Sequence, residues 1–215
     1  MKKIVVLISG NGSNLQAIID HCESGNINGE ITCVVSNKDD AYGIQRAEAS
    51  NIKTEIINED KFESRKDFNE ELFNLLLNLN ADLIVLAGFM KILNEKTANY
   101  FFGKIINIHP SLLPKYPGLN THTKVIDNKE KYHGVSIHYV SSQLDAGPLI
   151  AQGQIIVNKD ESVERLEERI HKVEHMIYPE VIKLICDNKI YLDLGRTVNL
   201  INEGSKDPIY KSYEI

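Results

Sequence analysis

Asn107 and His109 stand two residues apart at the close of an apolar run, Lys104 to Ile108, and Asp145 lies in a turn, Leu144-Asp145-Ala146-Gly147-Pro148. If that run is a strand, side chains at i and i+2 leave it on one face. Open α/β sheets bind ligands beyond the C-terminal ends of their strands, which is where this pair falls. Pro110 biases His109 towards an extended backbone and so holds the ring forward. An amide beside an imidazole suits acyl transfer: the amide donates to a developing oxyanion, and the imidazole shuttles the proton of an attacking amine. A carboxylate next to His109 would favour the imidazolium. The same residues also fit a plain reading, a structural Asn–His hydrogen bond and an aspartate that shapes its loop.

Ser9-Gly10-Asn11-Gly12-Ser13-Asn14 follows a first apolar run and opens a helical pattern. Glycines permit close backbone approach, and a helix N-terminus offers unpaired N–H groups with partial positive charge. Ser13 and Asn14 are expected to cap that helix or to donate to an oxyanion. A dinucleotide fingerprint would need a third glycine where Leu15 stands, and a Walker loop would need Gly-Lys-Ser/Thr. The turn therefore suits a single phosphate on a small molecule, or else it is a capping turn with no ligand.

His171-Lys172-Val173-Glu174-His175 matches the inverted zinc-peptidase pattern, with two histidines on one helix face. No third ligand is evident downstream, and Val173 and Ile177 make this face partly core. His133 and His138 are separated by an odd number of positions, which puts them on opposite strand faces; His138 is placed to line the site. His21 falls near a helix C-terminus and His122 at a helix start.

The elements that must position these groups follow from periodicity. Strands are predicted at Lys3–Ile8, Glu30–Ser36, Lys53–Ile57, Asp82–Ala87 and Lys104–Ile108, with helices at Asn14–Cys22, Tyr42–Ser50, Arg65–Asn80 and Asn94–Phe101 between them. On Arg65–Asn80 the residues Phe68, Leu72, Leu75, Leu76 and Leu79 form the apolar face. Such alternation marks a doubly wound, mostly parallel sheet of the α/β class, Rossmann-like in its N-terminal half. The stretch 109–120 is irregular; a helix at Thr121–Asn128 follows, then strands Gly134–Ser141 and Pro148–Val157, which form a mixed or antiparallel C-terminal edge. A long helix spans Glu161–Asp187, and Pro179 is expected to kink or restart it. Residues 191–215 read as a peripheral tail, polar from Gly204 onwards.

With 215 residues, 42% of them hydrophobic, the chain can bury a core without disulfides or metals. Cys22, Cys33 and Cys186 are odd in number and unrelated in spacing, which points to a reducing compartment. The apolar run after Met1 stops at Ser9, short of a signal peptide, and no run reaches membrane-spanning length; a cytoplasmic protein is expected. At a net charge of −6, with scattered lysines, nucleic acid is not an expected partner.

Four segments carry a resemblance: Ile-Ser-Gly-Asn-Gly-Ser-Asn-Leu-Gln-Ala-Ile (8–18), Val-Leu-Ala-Gly-Phe-Met-Lys-Ile-Leu (85–93), Asn-Ile-His-Pro-Ser-Leu-Leu-Pro-Lys-Tyr-Pro-Gly (107–118) and Leu-Asp-Ala-Gly-Pro (144–148). In collinear order over about residues 3–182 they resemble the folate-dependent formyltransferase family, and the Gly-Asn-Gly-Ser-Asn turn is similar to its bacterial glycinamide ribonucleotide branch. The resemblance implies the formyltransferase fold over residues 1–190. About 1–103 would be its phosphate-binding half and about 104–190 its catalytic and folate half. It implies transfer of the formyl group of 10-formyltetrahydrofolate to the primary amine of glycinamide ribonucleotide in purine biosynthesis, by direct amine attack and without a metal. Asn107, His109 and Asp145 would be catalytic, Gly12, Ser13 and Asn14 would hold the phosphate, and Glu174 would face the ribonucleotide. Arg65, Met90, Lys91, Ile92, Leu93 and Asn107 would bind the folate, with the 141–146 loop over the pterin. The chain departs from the family pattern at Lys91, where arginine is common, and at Asn120, where histidine is. A lysine cannot reproduce arginine's bidentate fork.

A formyltetrahydrofolate hydrolase would carry an N-terminal regulatory domain, and a methionyl-tRNA formyltransferase a C-terminal basic one. Neither is expected with a first strand at Lys3 and few residues after 190. The zinc peptidase and a non-catalytic phosphometabolite-binding module are the rivals from other classes. The expected state is a monomer or a homodimer.

Overall fold

The protein is described here from a computed structural model covering residues 1–193, 198–200 and 208–215. It divides into two compact units, Met1–Ile106 and Asn107–Ile215.

In the first unit, strands β1 (Lys2–Ile8), β2 (Gly29–Ser36), β3 (Thr54–Ile56) and β4 (Leu83–Leu86) lie in the order β4-β1-β2-β3, and every pairing is parallel. Residues Ile4 to Ile8 are fully buried. A parallel strand covered on both faces is apolar throughout rather than alternating, which is why β1 reads as one run. Helices α1 (Ser13–Glu23), α2 (Tyr42–Ala49), α3 (Arg65–Leu79) and α4 (Glu95–Tyr100) connect the strands, with a 3-10 turn at Glu59–Lys61. The hydroxyl of Ser64 caps α3 by accepting from Asp67 N–H, and Asn80 ends the helix in the left-handed region at φ 45°. The helix buries Phe68, Leu72, Phe73 and Leu76, each such side chain contributing roughly 1.5–3 kcal/mol. Leu75 and Leu79, expected on that face, are only half-buried.

The strand β5 (Ile105–His109) runs from the first unit into the second. It extends one residue further than periodicity suggests, so His109 is a strand residue and not the first of the loop. In the second unit β6 (Tyr132–Tyr139) and β7 (Leu149–Ile156) form an antiparallel pair, joined on the far side of β7 by a parallel strand β10 (Ile209–Ser212). The expected antiparallel component is present, but β7 is not the edge. Short strands β8 (Ile190–Leu192) and β9 (Val198–Leu200) make a separate antiparallel pair. The tail expected over 191–215 thus includes β9 and β10; its residues 194–197 and 201–207 lie outside the described ones.

Helix α5 covers Thr121–Asp127, and α6 runs unbroken from Val163 to Cys186. Pro179 does not restart α6. It removes one backbone donor, but Ile177, Tyr178, Val181 and Ile182 around it are all buried, and that packing holds the helix through the lost bond. The helix lies on β6 and β7, where Gly153 admits it: a Cβ there would sit 2.7 Å from Val173 Cγ1. A mixed α/β fold with a mostly parallel sheet is therefore what the chain forms.

Candidate active site

In the second unit His109 is 6% exposed at the end of β5. Its Nε2 lies 2.9 Å from the carbonyl oxygen of Tyr116, which can only accept, so Nε2 carries the hydrogen. In the neutral ring Nδ1 is then bare, and it faces Asp145 Oδ2 at 3.5 Å. A proton taken up by this ring arrives on the side of the carboxylate.

Asp145 is held in place from several directions. Its Oδ2 accepts from Gly118 N–H at 2.9 Å, and its Oδ1 is 3.7 Å from His138 Nε2. Its backbone sits in the left-handed region at φ 48°, a conformation short polar side chains tolerate. Burial pushes the Asp145 carboxyl upwards, but the neighbouring His138, the hydrogen bond from Gly118 N–H and the charge of His109 outweigh it and leave the carboxyl below its usual range. Asp145 is thus ionised near neutral pH.

His138 donates from Nδ1 to the carbonyl of Tyr139 at 2.9 Å, leaving Nε2 to accept from Asn107 Nδ2 at 3.4 Å. One amide hydrogen of Asn107 is thereby directed to His138, and the second remains a donor for an incoming oxygen. The four side chains Asn107, His109, His138 and Asp145 form one cluster. Parity along the strand suggested His138 only as a lining residue. Its contacts with Asn107, 31 positions earlier, and with Asp145 across the turn between β6 and β7 are not legible from spacing along one strand.

The irregular segment after His109 is stitched rather than loose. Ser136 Oγ accepts from Leu113 N–H and donates to the carbonyl of Ser111, and Gln152 donates to the carbonyl of Leu113. Beside it His122 Nδ1 and His133 Nε2 lie 2.9 Å apart, so one ring donates to the other. Burial lowers His122, and burial followed by the charges of His122 and His109 pushes His133 down to about 3. Both are neutral near pH 7. Glu174, on α6, is 5% exposed. The rings of His171 and His175 stack in parallel with centroids 6.3 Å apart. Among the described residues no group of three or more His, Cys, Asp or Glu side chains is placed to hold a metal ion.

In the first unit the glycine turn has a different cap from the one expected. Gly12, at φ 74°, is the N-cap of α1, and neither Ser13 nor Asn14 caps it. They are the first two helical residues instead. No side chain caps the helix, whose N-terminus carries the partial positive charge of aligned peptide dipoles. Only glycine fits there, because a Cβ on Gly12 would lie 2.7 Å from Gly43 Cα. Arg46 braces the turn, donating from Nε to the carbonyl of Asn11 at 2.9 Å and from Nη2 to its side chain at 3.2 Å. Nothing local in the sequence links Arg46 to a turn 35 positions earlier.

Met90 N–H donates to Ser9 Oγ at 2.8 Å, which fixes the segment carrying Met90, Lys91, Ile92 and Leu93. Met90 and Ile92 are exposed and Leu93 is buried. Lys91 makes an ion pair with Glu59. Arg65 is exposed at the first position of α3.

The formyl transferase family model matches residues 2–182. The chain is 45% identical over 192 residues to the phosphoribosylglycinamide formyltransferase of Haemophilus influenzae, covering 89% of this chain and 91% of that protein. The chain belongs to this family. Identity to the phosphoribosylglycinamide formyltransferase of Escherichia coli is also 45%, over 87% of this chain and 88% of that one. The solved phosphoribosylglycinamide formyltransferase of Coxiella burnetii superposes with a TM-score of 0.91 at 44% identity, over 98% of this chain and 99% of that one. The formyltransferase fold extends over nearly the whole chain, and the zinc-peptidase reading of α6 is not favoured.

Proposed function

We propose that this chain moves the formyl group of 10-formyltetrahydrofolate to the primary amine of glycinamide ribonucleotide, giving formylglycinamide ribonucleotide and tetrahydrofolate. The observation that carries the reading is the His109–Asp145 contact at 3.5 Å, with the opposite ring nitrogen committed to Tyr116. It supplies a proton acceptor backed by a carboxylate beside an amide donor, which direct amine attack requires.

The amine nitrogen attacks the formyl carbon, and the carbonyl electrons move to oxygen. Asn107 Nδ2 donates to that oxyanion. The proton lost by the amine passes through water to the His109–Asp145 pair, entering at Nδ1. As the bond between the formyl carbon and N10 breaks, a proton returns to N10, so charge balances and no covalent enzyme intermediate forms. The first-turn amides at Gly12, Ser13 and Asn14 hold the phosphate, and Glu174 meets the ribonucleotide. Met90 to Leu93 and Arg65 line the folate, with the 141–146 loop over the pterin. Residues 1–190 act as one formyltransferase domain in the cytoplasm, as a monomer or homodimer.

Loss of 10-formyltetrahydrofolate on mixing both substrates, followed with and without a chelator, tests this. Turnover that survives chelation is expected. Ribonucleotide binding without turnover would indicate a phosphometabolite-binding module, and turnover abolished by chelation would restore metal chemistry.

A further inference from the structure

One short segment of chain holds both members of the His109–Asp145 pair. Tyr116 presents its carbonyl to His109 Nε2, and two residues later Gly118 N–H reaches Asp145 Oδ2. To make both contacts the backbone turns twice through the left-handed region, at Tyr116 with φ 55° and at Gly118 with φ 77°. Pro117, which has no N–H, lies between them. Glycine adopts that conformation freely, but an aromatic residue keeps it only where its surroundings over-determine it.

Glu130 supplies such a constraint. It follows α5, and its N–H donates to the carbonyl of the buried Val125 at 3.1 Å, which ties its backbone to that helix. Its carboxylate accepts from the Tyr116 hydroxyl at 2.8 Å and from Lys115 Nζ at 2.8 and 2.9 Å. The Lys115 side chain is 62% exposed, so that pair holds little. Tyr116 is half-buried, and its bond to an ionised acceptor is about twice as strong as a neutral one. Among the described residues, no hydrogen bond or ion pair joins Glu130 to Asn107, His109 or Asp145 themselves.

We propose that Glu130 is a positioning residue for the formyl transfer: through the Tyr116 hydroxyl it fixes the 115–118 segment, and with it the tautomer of His109. This rests on the formyl-transfer reading and deepens it. While the Tyr116 carbonyl takes the Nε2 hydrogen, Nδ1 stays bare to receive the amine's proton. Once the carbonyl drifts, the Asp145 carboxylate draws the hydrogen of the neutral ring onto Nδ1, and the base site is filled before the reaction begins.

The test measures kcat and both KM values in wild type, Glu130→Ala, Glu130→Gln, Tyr116→Phe and the double variant Glu130→Ala/Tyr116→Phe. Nitrogen NMR shifts of His109 in the substrate-free protein, at a pH where the ring is neutral, report its tautomer. Glu130→Ala should lower kcat about tenfold with each KM within about twofold, and should raise the Nδ1–H fraction. Tyr116→Phe should do the same, and the double variant should be no worse than either single, because all three lose one bond. Glu130→Gln keeps an acceptor for the hydroxyl and should recover most of the loss. A Glu130→Ala kcat within about twofold of wild type would overturn the proposal. So would a loss expressed in KM, single losses that multiply in the double variant, or an unchanged tautomer alongside a reduced kcat. If Glu130→Ala does not fold, Tyr116→Phe decides alone, and a wild-type kcat and tautomer there overturn the proposal. A wild type that moves no formyl group refutes the formyl-transfer reading, and the tautomer shift then decides the role of Glu130 by itself.

Discussion

Histidines of one type do different work here because their partners differ. His109 and His138 each spend one ring nitrogen on a backbone carbonyl and turn the other towards Asp145. His133 instead spends Nε2 on His122 and is 1% exposed. With its pKa pushed from 6.5 to about 3, it stays neutral in the fold at pH values where the unfolded chain takes up a proton. Because the folded value is the lower one, its contribution to stability is full above pH 6.5 and is lost as pH falls from there towards 3. Between pH 7 and pH 5 this one residue should cost the fold about 2 kcal/mol. Urea unfolding of wild type and His133→Gln at both pH values checks it: the wild type should lose about 2 kcal/mol more than the variant, and equal losses would contradict the assignment.

The turn between β6 and β7 sets the position of Asp145. A Cβ on Gly147 would lie 1.7 Å from the carbonyl oxygen of Tyr139, so backbone meets backbone there and no side chain fits. Gly147→Ala must move the turn, and the carboxylate with it. A displacement of about an ångström can cost on the order of 10²-fold in rate, so kcat of this variant is expected to fall by at least ~10-fold, read by steady-state kinetics. An unchanged kcat would mean that the turn does not position the carboxylate. Elements such as β1, α3 and β4 are legible in the sequence because they bury continuous or periodic apolar faces. The strands β8 and β10 are not, being only three and four residues long, too short to show a period. At the site, Asn107, His109 and Asp145 stand out by residue type and by resemblance. The contact of His138 with Asn107, 31 positions earlier, lies beyond what spacing along one strand shows, and the cap at Gly12 hides behind a backbone conformation that Ser13 and Asn14 do not disclose.

Taken as a whole, a chain with net charge −6 that handles anionic substrates must build positive potential locally. The N-terminus of α1, beside a turn braced by Arg46, is where the proposed phosphate site draws it from in the first unit, while the Lys91 ammonium is paired with Glu59. In the second unit the same economy appears as a carboxylate shared by two histidines. No helix among the described residues is long and apolar enough to cross a membrane. The claim on which the account depends is that Asp145 supports the proton transfer made by His109. Single-turnover formyl transfer by Asp145→Asn, with both substrates saturating and the fold verified by its unchanged unfolding transition, measures it directly. The rate should fall by at least ~100-fold relative to wild type. A rate within about threefold of wild type would show that the carboxylate takes no part in the chemistry.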